Sequence, residues 1–421
     1  MRANLSRDIR MKTLVRSLRC VECEKTYSPE EASLTCPACG DDGILDVLYD
    51  MAAAKKALTR ETLASRPLSI WRYQEVLPVD PSQLPPLAVG WTPIYDVARL
   101  AREVGVAKLW VKDDGRGPTA SFKDRASAVG VARAMAAGAR SIACASTGNA
   151  ATSLAGFSAS AGLDCRIFVP ETAPEPKLVQ LLAFGATVYK VRGTYENAYD
   201  LSQEGCRRYG WYNRNCAINP YLVEGKKTAG LEVGEALGRS MPDWVSVAVG
   251  DGCTIAGIWK GIRETHELGL AERLPRMLGV QAEGAAPIAA AFRKGTKIVP
   301  SEAKTIADSI RVGTPRNGKK ALLALAESRG AMATVSDEEI LAAIRTLGSV
   351  GVFAEPAASA AFAGVVRAVR DGTIQPHESV LVMVTGNGLK DVASARKACP
   401  GPVDLPPDPA ELERHVRSAA R

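Results

Sequence analysis

Four segments of this chain gather residue types whose spacing can do chemistry. The first is PTASFKDRAS, residues 118–127, directly after the apolar run LWVKDD at 109–114. Ser121 is placed to cap a helix that begins here, which sets Lys123 in the first turn beside the positive end of the helix dipole. That field disfavours the ammonium and promotes the neutral amine that a Schiff base requires. A solvent-facing Lys123 paired with Asp124 is the plainer alternative. The second is ASTGNAATSLAG, residues 145–156, where a strand runs into a helix through Ser146, Thr147, Gly148 and Asn149, followed by Ala150. Backbone N–H groups at such a start suit an anion such as an amino-acid carboxylate, and Asn149 offers an amide to a ring hydroxyl. An ordinary capped turn fits the same residues.

The third segment is AVGDGCTIAGIWKG, residues 248–261, in which Gly250, Asp251, Gly252, Cys253 and Thr254 lead from a strand into a helix. Closely spaced glycines let backbone donors approach a phosphate. A dinucleotide site is the rival, but no acidic residue follows some twenty positions later to hold a ribose. The fourth is MVTGNGLKD, residues 383–391, which ends a strand with Thr385, a hydroxyl able to face a ring nitrogen. All four lie at carboxyl ends of predicted strands, where open α/β sheets bind ligands. A lysine, a carboxylate site, a phosphate cradle and a hydroxyl form the set that pyridoxal-5′-phosphate (PLP) chemistry needs.

Far from these, Cys20-x2-Cys23-x12-Cys36-x2-Cys39 makes two knuckles at a spacing that sets four thiolates around a structural zinc ion; a metal-free ribbon is the alternative.

The elements that must position these groups follow a regular alternation. Short Val- and Ile-rich runs at 109–114, 141–147, 165–170, 187–192, 244–250, 277–283 and 379–386 alternate with amphipathic segments such as 127–137, 176–184, 337–349 and 357–370. Buried strands alternating with helices predict an α/β fold with parallel sheet, and the number of units predicts two sheets sharing a cleft. Residues 80–93 are rich in Pro and Gly and read as connecting backbone; the tail after Pro400 reads as Pro-rich and then a short charged helix.

The bulk composition narrows the class. Net charge is +7, spread without Lys/Arg blocks, and aromatics are 5%, which argues against a nucleic-acid groove. No apolar run is long enough for a membrane span, and the basic first nineteen residues lack the apolar stretch of a secretory signal. Six of the ten cysteines are scattered in apolar segments, so the expected compartment is the reducing cytoplasm.

SFKDR, STGNAA, GDGCTIAGIWKG and VTGNGLKD, in that order between about residues 88 and 395, resemble the threonine synthase family of fold-type II PLP enzymes. The resemblance implies a tryptophan synthase β-like architecture. Its parts would be an N-terminal cysteine ribbon (1–50), a large cofactor domain (51–127 with 228–400), a smaller α/β domain (128–227) and a tail (401–421). It implies Lys123 as the Schiff-base lysine and proton shuttle, and Asn149 on the PLP 3′-hydroxyl. Gly250 to Thr254 would surround the cofactor phosphate, and Thr385 would face the pyridine nitrogen. Ser146, Thr147, Gly148 and Ala150 would bind the amino-acid substrate, and the enzyme would be a homodimer.

The chain also departs from the family pattern. Many members carry Asn-Pro-x-Arg-x-Glu-Gly-Gln-Lys-Thr, with the Arg directed at the phosphate of O-phosphohomoserine. Residues 219–228 place Leu222 at that position, Cys216-Ala217 stand where Asn-Ser is frequent, and Ala150 replaces a hydroxyl residue. Lys226, Lys227 and Arg116 are the cations that could compensate, with a solvated surface charge as the plainer alternative for each. The expected activity is therefore a threonine synthase-like lyase, with a paralogue acting on an unphosphorylated or differently activated amino acid as the alternative.

Overall fold

The structure, a computed structural model, describes residues 13–32 and 34–419. Residues 1–12, to which part of the signal-sequence argument applied, lie outside this range.

The first sheet is antiparallel and small. It is built from β1 (Val15–Cys20), β2 (Thr26–Tyr27), β3 (Thr35–Cys36) and β4 (Gly40–Tyr49) in the order β2-β1-β4-β3. β4 does more than close this ribbon, because its far end is bound into the body of the protein. Asp46 Oδ1 accepts from Lys260 Nζ at 3.1 Å and from Lys320 Nζ at 3.4 Å, and Lys260 also donates to Val47 O and Glu224 Oε1. Tyr49 donates to Glu224 Oε2 at 2.9 Å, with Lys227 Nζ 3.8 Å from its ring centre.

The remaining strands are β5 (Ile94–Asp96), β6 (Lys108–Asp113), β7 (Ser141–Ala145), β8 (Asp164–Pro170), β9 (Thr187–Val191), β10 (Tyr212–Asn213), β11 (Trp244–Ala248), β12 (Arg276–Ala282), β13 (Ala331–Val335) and β14 (Ser379–Val384). Every Val/Ile run of the sequence is a strand, with ends within a few residues of expectation. They form a four-stranded parallel sheet, β10-β7-β8-β9, and a six-stranded sheet, β13-β12-β11-β14-β6-β5. The six-stranded sheet is parallel except for β5, which runs antiparallel to β6 at the edge. β7, β11 and β14 are buried almost throughout because helices cover both faces, so they read as continuous apolar runs rather than alternating ones. Among the described residues no helix is long and apolar enough to cross a membrane.

Three helices beside the sheets pack at glycine contacts. In Tyr221–Leu237, a Cβ on Gly225 would overlap the Arg125 carbonyl of helix Lys123–Ala136, and one on Gly230 would overlap the Ile258 carbonyl of helix Cys253–Glu267. Backbones this close leave no room for a side chain. Helix Tyr221–Leu237 is accordingly buried over its first fourteen residues, charged ones included.

Those buried charges are paired. Arg125 bonds Asp114 Oδ1 at 2.7 Å and Glu232 Oε1 at 2.5 Å, while Lys112 bonds Glu232 Oε2 at 2.7 Å, and all four side chains are 1–2% exposed. Burial would raise the Glu232 pKa, but the charges of Arg125 and Lys112 outweigh it and hold the carboxyl at about 2. This network pins the first turn of helix Lys123–Ala136 to β6 and to helix Tyr221–Leu237.

Candidate active site

Lys123 is the first residue of its helix, as expected, but the cap differs from expectation. The residue before it, Phe122, is already in the αR conformation and makes no capping bond, and Ser121 Oγ has no hydrogen-bond partner. Tertiary pairing fixes the helix start instead. Phe122 N donates to Thr385 O at 2.9 Å, Asn387 N donates to Ala120 O at 3.1 Å, and Ser121 forms a bridge with Gly386. The first and fourth motifs are thereby one backbone unit.

The pairing of Lys123 with Asp124 does not form. Asp124 accepts instead from Thr119 N and Thr119 Oγ1, and burial raises its carboxyl to about 6. Lys123 is pulled below the usual lysine range, first by burial and then by the charge of Lys226, with Cys216 and Glu355 acting in the opposite sense. These three neighbours bring separate segments of the chain to one amine.

Glu355 was not singled out in the sequence, although it joins two of the motifs. It sits at the start of helix Pro356–Arg370, its N–H bonds Gly386 O at 3.0 Å, and it is 4% exposed. Asn149 Nδ2 donates to both of its carboxylate oxygens at 3.0 Å, and to Ser309 Oγ at 3.4 Å. A Cβ on Gly386 would overlap the Glu355 carboxylate, so the glycine of the fourth motif makes room for this acid. The available signal was an acidic residue before Pro356, at a cap position where Ser, Thr, Asp or Asn is ordinary.

In the second motif, helix Asn149–Ala161 begins at Asn149, and its first N–H groups lack helical acceptors. Gly148 N is engaged by Ser146 Oγ at 3.2 Å, and a side chain at Gly148 would meet open space. Ser146, Thr147, Gly148 and Ala150 are all partly exposed beside buried Asn149.

In the third motif, Gly252 has φ of 95°, and a Cβ there would lie 2.5 Å from Asn317 O; one on Gly250 would lie 2.9 Å from Ile310 Cα. Both glycines are thus needed for packing against the 308–318 segment. Asp251 Oδ1 accepts from Arg316 N at 2.7 Å, and its pKa is raised by burial and then by Cys216. Cys253, at the first position of helix Cys253–Glu267, lies 3.6 Å from Cys216 Sγ and accepts from Asn317 Nδ2 at 2.7 Å. Beside it, Lys226 Nζ lies 3.3 Å from Cys216 Sγ, and Cys216 is held well below the usual thiol range, first by the hydrogen bond from Cys253 and then by Lys226 and Arg214.

The four ribbon thiols also come together. Cys23 and Cys36 Sγ are 3.7 Å apart, Cys20 and Cys39 Sγ are 4.0 Å apart, and all four lie within 4.8 Å of one another. Four sulfurs at zinc–thiolate bonds of about 2.3 Å in a tetrahedron would be about 3.8 Å apart.

A family model described as pyridoxal-phosphate dependent enzyme matches residues 86–386. The threonine synthase of Methanocaldococcus jannaschii is 40% identical over 404 residues, covering 95% of this chain and 99% of that one. The threonine synthase of Methanosarcina acetivorans is 40% identical over 389 residues, covering 91% and 95%. The processed form of threonine deaminase isoform 2 from Solanum lycopersicum shares the fold, with a TM-score of 0.62, 22% identity, and coverage of 73% of this chain and 86% of that one. These relatives do not favour the alternative of a scaffold turned to a different substrate. The chain belongs to the threonine synthase family of fold-type II PLP-dependent enzymes, lyases that work by elimination and replacement at the β- and γ-carbons of an amino acid.

Proposed function

We propose that this enzyme converts O-phosphohomoserine to threonine, eliminating phosphate from the γ-carbon and adding water at the β-carbon. The observation that carries the reading is the position of Lys123: its ammonium form is disfavoured by burial, its helix start is paired with Thr385 after β14, and Glu355 and Cys216, which act on it, contact Asn149 after β7 and Cys253 after β11. The residues present fit PLP. Ser121 Oγ is a buried polar atom without a partner beside Lys123, and helix Cys253–Glu267 starts with N–H groups aimed away from any helical acceptor. PLP, when bound, supplies an electron sink for the charge that develops on the amino-acid carbons.

The chain's own groups do the rest. Lys123 holds the cofactor through Nζ and moves protons from the same atom, and burial together with Lys226 favours the neutral amine this needs. Asn149, oriented by Glu355, presents its amide to the ring hydroxyl. Gly250, Asp251, Gly252, Cys253 and Thr254 frame the cofactor phosphate. Thr385 gives the ring nitrogen a neutral hydroxyl partner, which suits elimination and replacement better than transamination. Ser146, Thr147, Gly148 and Ala150 receive the substrate carboxylate at the start of helix Asn149–Ala161.

The proposal extends to the rest of the molecule. Cys20, Cys23, Cys36 and Cys39 hold a structural zinc ion, and the sulfur spacing supports this. Residues 128–227 form the smaller domain, facing a larger one of 51–127 with 228–400, with the ribbon in 1–50 and the tail in 401–421. All ten cysteines are unbridged, in keeping with a cytoplasmic enzyme, and a homodimer is the usual state of the fold type.

The test is turnover of O-phosphohomoserine, with threonine and phosphate measured together, alongside borohydride reduction and peptide mapping. The expected result is stoichiometric product and a reduced adduct on Lys123, with Lys123→Ala losing both. No phosphate release by the wild type, or an adduct on another lysine, would overturn it.

A further inference from the structure

This chain pairs its buried cations with carboxylates at almost every opportunity. Arg72 pairs with Glu235, Lys112 and Arg125 with Glu232, Lys227 with Glu224 and Glu264, and Lys260 and Lys320 with Asp46. Two equally buried cations, Arg214 and Lys226, each 1% exposed, have no carboxylate within 4.0 Å among the described residues. Both lie beside Lys123.

Arg214 enters just after β10, fixed by its N–H to Ala143 O at 2.9 Å. Its guanidinium donates to Ser127 Oγ at 3.2 Å, and Nε has no partner. Among the described residues, Lys226 Nζ has one hydrogen-bond partner, the Cys216 sulfur at 3.3 Å. A thiolate there offsets one positive charge of the two. Two desolvated cations sharing one thiolate leave a site that is incomplete without an anion.

The same helix explains why the cations stand where they do. Positions 222 and 226 are one turn apart and share a face. Leu222, at the place the family pattern gives to arginine, packs on Gly130 of the Lys123 helix; a Cβ on Gly130 would lie 3.0 Å from Leu222 Cδ2 and 3.8 Å from Arg214 Cγ. The stem of Arg214 therefore runs beside the leucine, and Lys226 supplies charge one turn further along. The other two candidates are excluded by their surroundings: Lys227 is consumed by its two carboxylates, and Arg116 is exposed.

We propose that Arg214 and Lys226 form the anchor for the phosphate that leaves the substrate, a cationic site moved from position 222 to its spatial neighbours. This rests on the reading of the enzyme as a threonine synthase. The same chemistry would serve the cofactor's phosphate, because Cys253 of the third motif is next to Cys216, so the experiment must separate the two sources.

Calorimetric titration of the holoenzyme with the phosphonate isostere of O-phosphohomoserine, and of the apoenzyme with PLP, does so. Loss of one bond to a charged group corresponds to roughly a 10- to 150-fold weaker Kd. Lys226→Gln should weaken the isostere by that factor, Lys226→Arg should recover most of it, and PLP affinity should fall by much less, only as far as the Lys123 amine is affected. An unchanged isostere Kd, or an equal loss of PLP affinity, would overturn the proposal. A second measurement needs no variant. The isostere seated on Lys226 should slow alkylation of Cys216 in the wild-type holoenzyme, read by mass spectrometry, and no slowing at saturation would also overturn it. A wild type inert toward O-phosphohomoserine would instead sink the functional reading, a result distinct from an active enzyme indifferent to Lys226→Gln.

Discussion

Replacing Arg125 by Met tests whether the buried network under the Lys123 helix holds that helix in place. The substitution keeps length and apolar stem but leaves Glu232 with Lys112 and Asp114 with only the Thr92 hydroxyl, both carboxylates being 2% exposed or less. Breaking a buried pair in this way costs about 3–5 kcal/mol. The titration of Glu232 points the same way, since its carboxyl is held at about 2 by Arg125 first and then Lys112 against the effect of burial. For 421 residues the unfolding entropy is about 0.9 kcal/mol/K, so the melting temperature should fall by about 3–6 °C at pH 8.

The pH dependence has a definite sign. A depressed carboxylate stabilises the fold above its unfolded pKa, and that contribution is lost as pH falls through about 2. The variant lacks the main depressing charge, so burial raises Glu232 and the folded protein takes up a proton there in mild acid. The gap between wild type and variant should therefore narrow between pH 8 and pH 5. Scanning calorimetry of the holoenzymes at both pH values decides it. A gap under about 1 °C, or one that is the same at both, would refute the reasoning.

Two further outcomes are expected. Glu355→Gln should weaken PLP binding about tenfold by removing the charged acceptor that orients Asn149, as measured by spectrophotometric titration; an affinity within twofold of wild type would show that Glu355 positions nothing. Chelation should remove one zinc per chain and loosen the ribbon while leaving the cofactor's visible absorbance; elemental analysis finding no metal in zinc-supplied protein would count against the ribbon as a zinc site.

What could be read from the sequence, and what could not, divides along physical lines. The strands were legible because each is buried on both faces and so carries an unbroken apolar signature. The ribbon was legible because knuckle spacing is a local property. Lys123 was found at a helix start, but the reason given for that start was wrong: Ser121 looked like a cap, while the helix is begun by pairing with Thr385, more than 250 residues away. Glu355 and Arg214 gave little sign of themselves for the same reason, since each is placed by one long-range backbone bond, to Gly386 and to Ala143. Lys226 and Lys227 are identical neighbours in the sequence with opposite surroundings. The turn of about 100° between them on one helix decides which meets carboxylates and which meets a thiol, and only packing reveals it.

The way β4 is tied down bears on how such a chain can change over generations. Deleting the ribbon in one step would strip Asp46 from Lys260 and Lys320, and the Tyr49 hydroxyl from Glu224, leaving Lys260 with Glu224 and Lys320 without its carboxylate. A lineage that shortens at this end must first acquire neutral or smaller residues at 260 and 320, substitutions that are themselves unfavourable while Asp46 is still present. The two changes oppose each other, so loss of the ribbon is costly in either order.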